Sequence, residues 1–103
     1  MAQSRIEQLK AILAQDPGNQ LTRYALGMEY SGAGEVDAAV AEFKQLVKAN
    51  PDYANAYFMA AQALVGAERR EEARAMLKDG IAAAQRTSNQ HAQSEMQQML
   101  EEL

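Results

Sequence analysis

Residues 17–50 read PGNQLTRYALGMEYSGAGEVDAAVAEFKQLVKAN, and residues 51–84 read PDYANAYFMAAQALVGAERREEARAMLKDGIAAA. Laid over each other at a shift of 34, the two stretches agree in residue size more than in identity. Pro17 falls on Pro51, each behind a polar residue, Asp16 or Asn50. Tyr24 falls on Phe58, Gly27 on Ala61, Tyr30 on Leu64, Gly32 on Gly66, Ala39 on Ala73 and Phe43 on Leu77. One such coincidence carries little. A whole set at one period of a few tens of residues is the signature of a repeat architecture.

Within each unit the pattern is helical. Leu21, Tyr24, Leu26, Met28 and Tyr30 occupy more than one face of a helix, which therefore packs on one side and offers another to a groove or partner. Ser31-Gly32-Ala33-Gly34 ends that helix, and Gly32 suits a left-handed C-terminal position. A second helix follows, with Val36, Ala39, Val40, Phe43, Leu46 and Val47 at i, i+3, i+4 and i+7 spacings. It stops before Pro51, whose ring disfavours helix at Asn50. The second unit repeats the plan, with helices expected from about Asp52 to Val65 and from about Arg70 to Ala84.

The flanks extend the scheme. Ile6, Leu9, Ile12 and Leu13 make an amphipathic helix ending at Asp16-Pro17, spaced like the second helix of a preceding unit. Thr87-Ser88-Asn89 can cap a last helix carrying Ala92, Met96, Met99, Leu100 and Leu103 on one stripe. The expected organisation is a single domain over 1–103: a half-repeat helix at 2–16, repeat 1 at 20–53, repeat 2 at 54–87 and a capping helix at 88–103. A stack of this kind buries a continuous core once about three units are present, and the outer helices complete that number.

The bulk composition agrees. Of the 103 residues 48% are hydrophobic but only 6% aromatic, and alanine supplies much of the apolar share. That mix favours helix, because alanine loses no side-chain entropy there and offers little to a pleated sheet. A net charge of −4 argues against non-specific nucleic-acid binding, which needs a basic footprint. With no cysteine, disulfides, thiolate metal sites and thiol catalysis are excluded. Met1 to Glu7 lacks the apolar run of a signal peptide, and no stretch reaches the roughly 18 apolar residues of a membrane span. A cytoplasmic, membrane-free protein is the expectation.

Residues 20–85 resemble the tetratricopeptide repeat. Leu26-Gly27 and Tyr30 fit the family's first helix in unit one, and Tyr57, Ala60, Ala61 and Leu64 fit it more loosely in unit two. The small residue early in the second helix stands as Ala39 and Ala73, the bulky one after it as Phe43 and Leu77, and the terminal proline as Pro17 and Pro51. Arg23 stands where the family prefers a large aromatic, Leu46 where it prefers alanine, and Gln85 where it has proline. The last departure implies that the second helix of unit two runs on or turns irregularly. The whole chain looks like the small stand-alone bacterial proteins of this type. The resemblance implies an all-α, right-handed superhelix of six antiparallel helices. It also implies a scaffold for protein–protein interaction with no catalytic residue, cofactor or metal. By resemblance the concave groove is lined by Leu21, Tyr24, Met28 and Ser31 in unit one and by Asn55, Phe58, Gln62 and Val65 in unit two, with Met59 close by. Some relatives hold a peptide carboxylate with Lys, Asn and Arg at such positions; Tyr24 and Met28 stand here instead.

Other constellations read as ordinary surface. His91 and Glu95 lie four apart on the last helix, but a zinc site needs three or four ligands and no second histidine exists. Gly32-Ala33-Gly34 follows a helix and no strand, so it is a turn rather than a phosphate cradle. Arg69, Arg70 and Arg74 are interleaved with Glu68, Glu71 and Glu72 as a solvated face. An apolar, methionine-containing groove suits an amphipathic helix or an extended apolar segment of a protein or peptide partner. The alternative is a structural homodimer or larger homo-oligomer that buries the same groove.

Overall fold

The computed structural model describes residues 2–103 and consists of α1 (Ala2–Gln15), α2 (Gln20–Gly32), α3 (Val36–Ala49), α4 (Ala54–Gly66), α5 (Arg70–Arg86) and α6 (Gln90–Glu101), with no strand among the described residues. Connections of three or four residues force each helix back along its predecessor. Each helix packs on the next in chain order; in addition α2 touches α4, and α4 touches α6. Among the described residues the backbones of α1, α3 and α5 do not come close to one another. An inner layer whose helices meet and an outer layer whose helices stand apart curve the stack. Its concave side is the side of α2, α4 and α6.

Two kinds of turn join the helices. At Pro17 and Pro51 the chain leaves a helix, and Asn19 N–H donates to the Asp16 carbonyl (3.1 Å) as Tyr53 N–H does to Asn50 (3.1 Å). The other three turns share a second geometry. Glu35 N–H donates to the Tyr30 carbonyl (2.9 Å), Arg69 to Leu64 (2.9 Å) and Asn89 to Ala84 (2.8 Å). This closure requires a left-handed residue just before the donor, and those residues are Gly34 (φ 77°), Glu68 (φ 61°) and Ser88 (φ 55°). The left-handed position is thus Gly34; Gly32, expected to hold it, is the last helical residue of α2.

The expected boundaries shift at two places. α4 starts at Ala54, not near Asp52, because Pro51 and Asp52 belong to the turn. α5 runs on to Arg86, as the missing proline at Gln85 implies, and closes through Ser88 instead of a proline turn. Asn19 and Asn89 cap α2 and α6, accepting from Thr22 N–H (3.0 Å) and Ala92 N–H (3.1 Å).

Between the layers lies a nearly continuous core. Ala39, Phe43, Ala61, Leu64, Ala73 and Leu77 are all fully buried. Gly27 faces the Phe43 ring: a β-carbon on Gly27 would lie 2.6 Å from Phe43 Cε1. Gly80 is equally constrained, with Met96 Sδ 2.5 Å and Tyr57 Cβ 2.6 Å from where its β-carbon would be. At the N-terminal end Ile6, Leu9 and Leu13 of α1 bury against Leu26. On α6, Ala92 and Met96 are buried, and Met99, Leu100 and, just beyond the helix, Leu103 pack partly buried against the main core.

Candidate functional site: the concave layer

The nine residues expected to line the groove lie on α2 and α4, and their surroundings differ. Leu21 (73% exposed) and Met28 (38%) stand out from α2 into solvent. Their repeat counterparts on α4, Asn55 and Gln62, are exposed as well, but polar. Ser31, Met59 and Val65 are half-buried. The apolar part of the open surface therefore belongs to α2, and α4 contributes amides beside it.

Tyr24 and Phe58 occupy equivalent repeat positions in unlike settings. Tyr24 meets Phe43 edge-on, with centroids 5.9 Å apart, and stacks on Tyr53 at 5.6 Å. Burial, helped by Tyr53, raises the Tyr24 phenol above its ordinary pKa, so the ring stays neutral through the physiological range. Its half-buried ring is tied to the core by aromatic contacts worth about 0.5–1.5 kcal/mol each beyond area burial. Phe58 opens instead onto α6. With Glu95, Gln98, Met99 and Glu102 it lines a cleft of about 200 Å³ between α4 and α6.

The α6 side of that cleft was not anticipated, because α6 reads as a cap. Its stripe Glu95, Gln98, Met99, Glu102 has i, i+3, i+4, i+7 spacing and forms a wall of the concave layer. The available signal was Met99, an apolar residue next to acids on one face. The three residues by which α5 outruns α3 would slide α6 by about 4.5 Å along α4, at 1.5 Å per residue. This displacement agrees with Phe58 lying beside the second half of α6.

The charged residues behave as surface and as tethers. Arg23 Nη1 lies 2.7 Å from Glu42 Oε1, both largely covered, and its other nitrogen donates to the Pro17 carbonyl (3.1 Å). Arg69 joins Asp37 of α3 to Glu72 of α5, and its hydrogen bonds to Glu72 hold that carboxyl below its usual pKa. Arg74 pairs with Glu71 and reaches the Leu103 carbonyl (2.6 Å). His91 and Glu95 sit 3.3 Å apart on the surface, with the imidazole side chain 87% exposed. A wider depression of about 560 Å³ on the outer layer is lined by Lys44, Gln45, Lys48 and Ala49 of α3 alone, so no groups converge there. No helix among the described residues is long and apolar enough to cross a membrane.

A tetratricopeptide repeat family model matches residues 30–101. A TPR repeat-containing protein of Pseudomonas aeruginosa is 30% identical over 98 residues, which span 95% of this chain and 93% of that protein. A solved protein from Bordetella parapertussis is 33% identical with a TM-score of 0.80, over 94% of this chain and 84% of that one. A tetratricopeptide repeat domain protein from Salinibacter ruber is 30% identical with a TM-score of 0.77, over 84% of this chain and 88% of the other. The fold these proteins share serves in general as a module for protein–protein interaction. Helix order, repeat period and these relatives agree: the chain belongs to the tetratricopeptide repeat family.

Proposed function

We propose that this protein is a non-enzymatic adaptor that binds a helix or an extended apolar segment of a partner protein on its concave layer. The observation that carries the reading is the uncovered stripe on α2. Leu21 and Met28 lie seven residues apart on α2, 73% and 38% exposed, with the Tyr24 ring between them in sequence. Apolar side chains left open on an otherwise well-buried fold mark interaction surfaces when they cluster. Methionine adapts its shape to the partner it meets. Tyr24 and Phe58 supply the large rings that tend to carry interface energy, and Ser31, Asn55, Met59, Gln62 and Val65 surround them.

The test is site-specific photo-crosslinking in cells that make the protein. A photoreactive residue in place of Met28 or Gln62 should trap a different protein, and one in place of Lys48 on the outer layer should not. Crosslinks from Met28 that yield only a second copy of the chain would transfer the groove to a homo-oligomer.

A further inference from the structure

The two layers of the molecule are charged differently. All four lysines, Lys10, Lys44, Lys48 and Lys78, lie on the outer helices α1, α3 and α5. On the concave layer α4 has no charged residue. α2 has one cation, Arg23, held by Glu42 at 2.7 Å, and one anion, Glu29, held by Arg5 of α1 at 3.4 Å. α6 brings Glu95 and Glu101, followed by Glu102, with His91 as its one basic side chain. Glu95 meets the His91 imidazole at 3.3 Å, and among the described residues Glu102 joins no ion pair.

Two of these acids, Glu95 and Glu102, stand where the layer is hollow. In the cleft of about 200 Å³, Phe58 and Met99 form the apolar part, and Glu95 and Glu102 lie on either side of Gln98 and Met99 along α6. We propose that this cleft receives a cationic amphipathic helix of a partner protein. One aliphatic side chain seats between Phe58 and Met99, and lysines or arginines about two turns apart meet Glu95 and Glu102. Those carboxylates are seven residues apart, about 10.5 Å along the helix, which is the i, i+7 spacing of a ligand helix lying alongside. An anionic segment would bring like charge to a layer with no free lysine or arginine to answer it. This inference rests on the concave-face function and names the chemistry of its partner.

The experiment uses three synthetic helices of about 18 residues with the same leucine stripe and lysine, glutamine or glutamate on the polar face. Binding to the full chain is followed by fluorescence anisotropy. The lysine peptide should bind tightest and the glutamate peptide weakest, with the lysine peptide losing affinity as salt rises from about 50 to about 300 mM. Glu95→Gln with Glu102→Gln should weaken the lysine peptide about three- to tenfold, with an unchanged thermal melt. Asp16→Asn with Asp79→Asn, which removes the same charge elsewhere, should change it less than about twofold. Equal weakening by both pairs would mean general charge attraction and overturn the proposal. Three peptides binding alike would discard the cationic partner and keep the groove. If none binds while Met28 still crosslinks a different protein, the cationic partner alone is lost. A wild-type dimer that dissociates in the Glu95→Gln, Glu102→Gln variant would make a second copy the occupant and overturn the proposal too.

Discussion

Repeat 1 and repeat 2 share a backbone plan and fill it with different chemistry. In repeat 1 Gly27 lies against Phe43; in repeat 2 the same two positions hold Ala61 and Leu77, all four buried. One unit pairs no side chain with a ring, the other a methyl with a smaller aliphatic group. The sum of volumes is what packing conserves. A second contrast concerns the proline turn. Tyr57 donates to the Pro51 carbonyl (2.8 Å) from a buried site, whereas its counterpart Arg23 donates to the Pro17 carbonyl (3.1 Å) and is neutralised by Glu42. Met76, buried, stands where Glu42 does in repeat 1. Tyr57 is a buried phenol beside Met76, whereas Arg23 is a guanidinium held by a carboxylate; the Pro51 carbonyl accepts from Arg86 as well (3.1 Å). The difference follows position in the stack. α4 is flanked on both sides and buries seven residues, whereas α2 buries only Leu26 and Gly27 and can seat an ion pair near solvent.

The largest effect expected from breaking this comparison is Phe43→Ala, which should cost about 3–5 kcal/mol by chemical denaturation. Phe58→Ala, on the open cleft, should cost clearly less; equal losses would make Phe58 core and empty the proposed groove of its main ring. Next comes the volume exchange. Gly27→Ala alone should cost about 1–3 kcal/mol through overpacking, and adding Phe43→Leu should return part of that loss. Strictly additive losses would show that the two positions do not share a volume. Of similar size is the ionic exchange. Glu42→Met alone strands the Arg23 guanidinium and should cost roughly 1–3 kcal/mol, whereas Arg23→Tyr with Glu42→Met, which supplies the two repeat 2 side chains, should return to within about 1 kcal/mol of wild type. The smallest effect sharpens the match between turns: Glu68→Gly, giving repeat 2 the glycine of repeat 1, should gain about 0.5–1 kcal/mol, seen as a raised melting temperature. A loss there would mean that the Glu68 side chain matters more than its φ of 61°.

The periodic part of this architecture was readable because each repeat position asks for a size, and size survives substitution. Ala39, Ala73, Phe43 and Leu77 declare themselves at the shift of 34. Gly80 does not, since its counterpart at that shift is Leu46; its need for space comes from Met96 on α6, where the period has lapsed. The left-handed residue was misplaced by two positions because Gly32 and Gly34 both suit it, and only the hydrogen bonds decide. The candidate site was half visible. Leu21, Met28 and Phe58 follow from repeat positions, but Glu95, Met99 and Glu102 depend on where α6 comes to rest, which is set by the length of α5.

That extra length amounts to a dislocation in a one-dimensional crystal. The helix caps at Asn19 and Tyr53 are one lattice step apart, while Asn89 arrives two residues late. A further unit added beyond α6 would be out of phase with those before it, so growth at that end meets a fault. The other end has none. Ile12 of α1 is 44% exposed, whereas Leu46, one period later, is 1% exposed beneath α2. The two ends of the stack are thus unlike: one carries a phase fault, and the other keeps the register at Ile12.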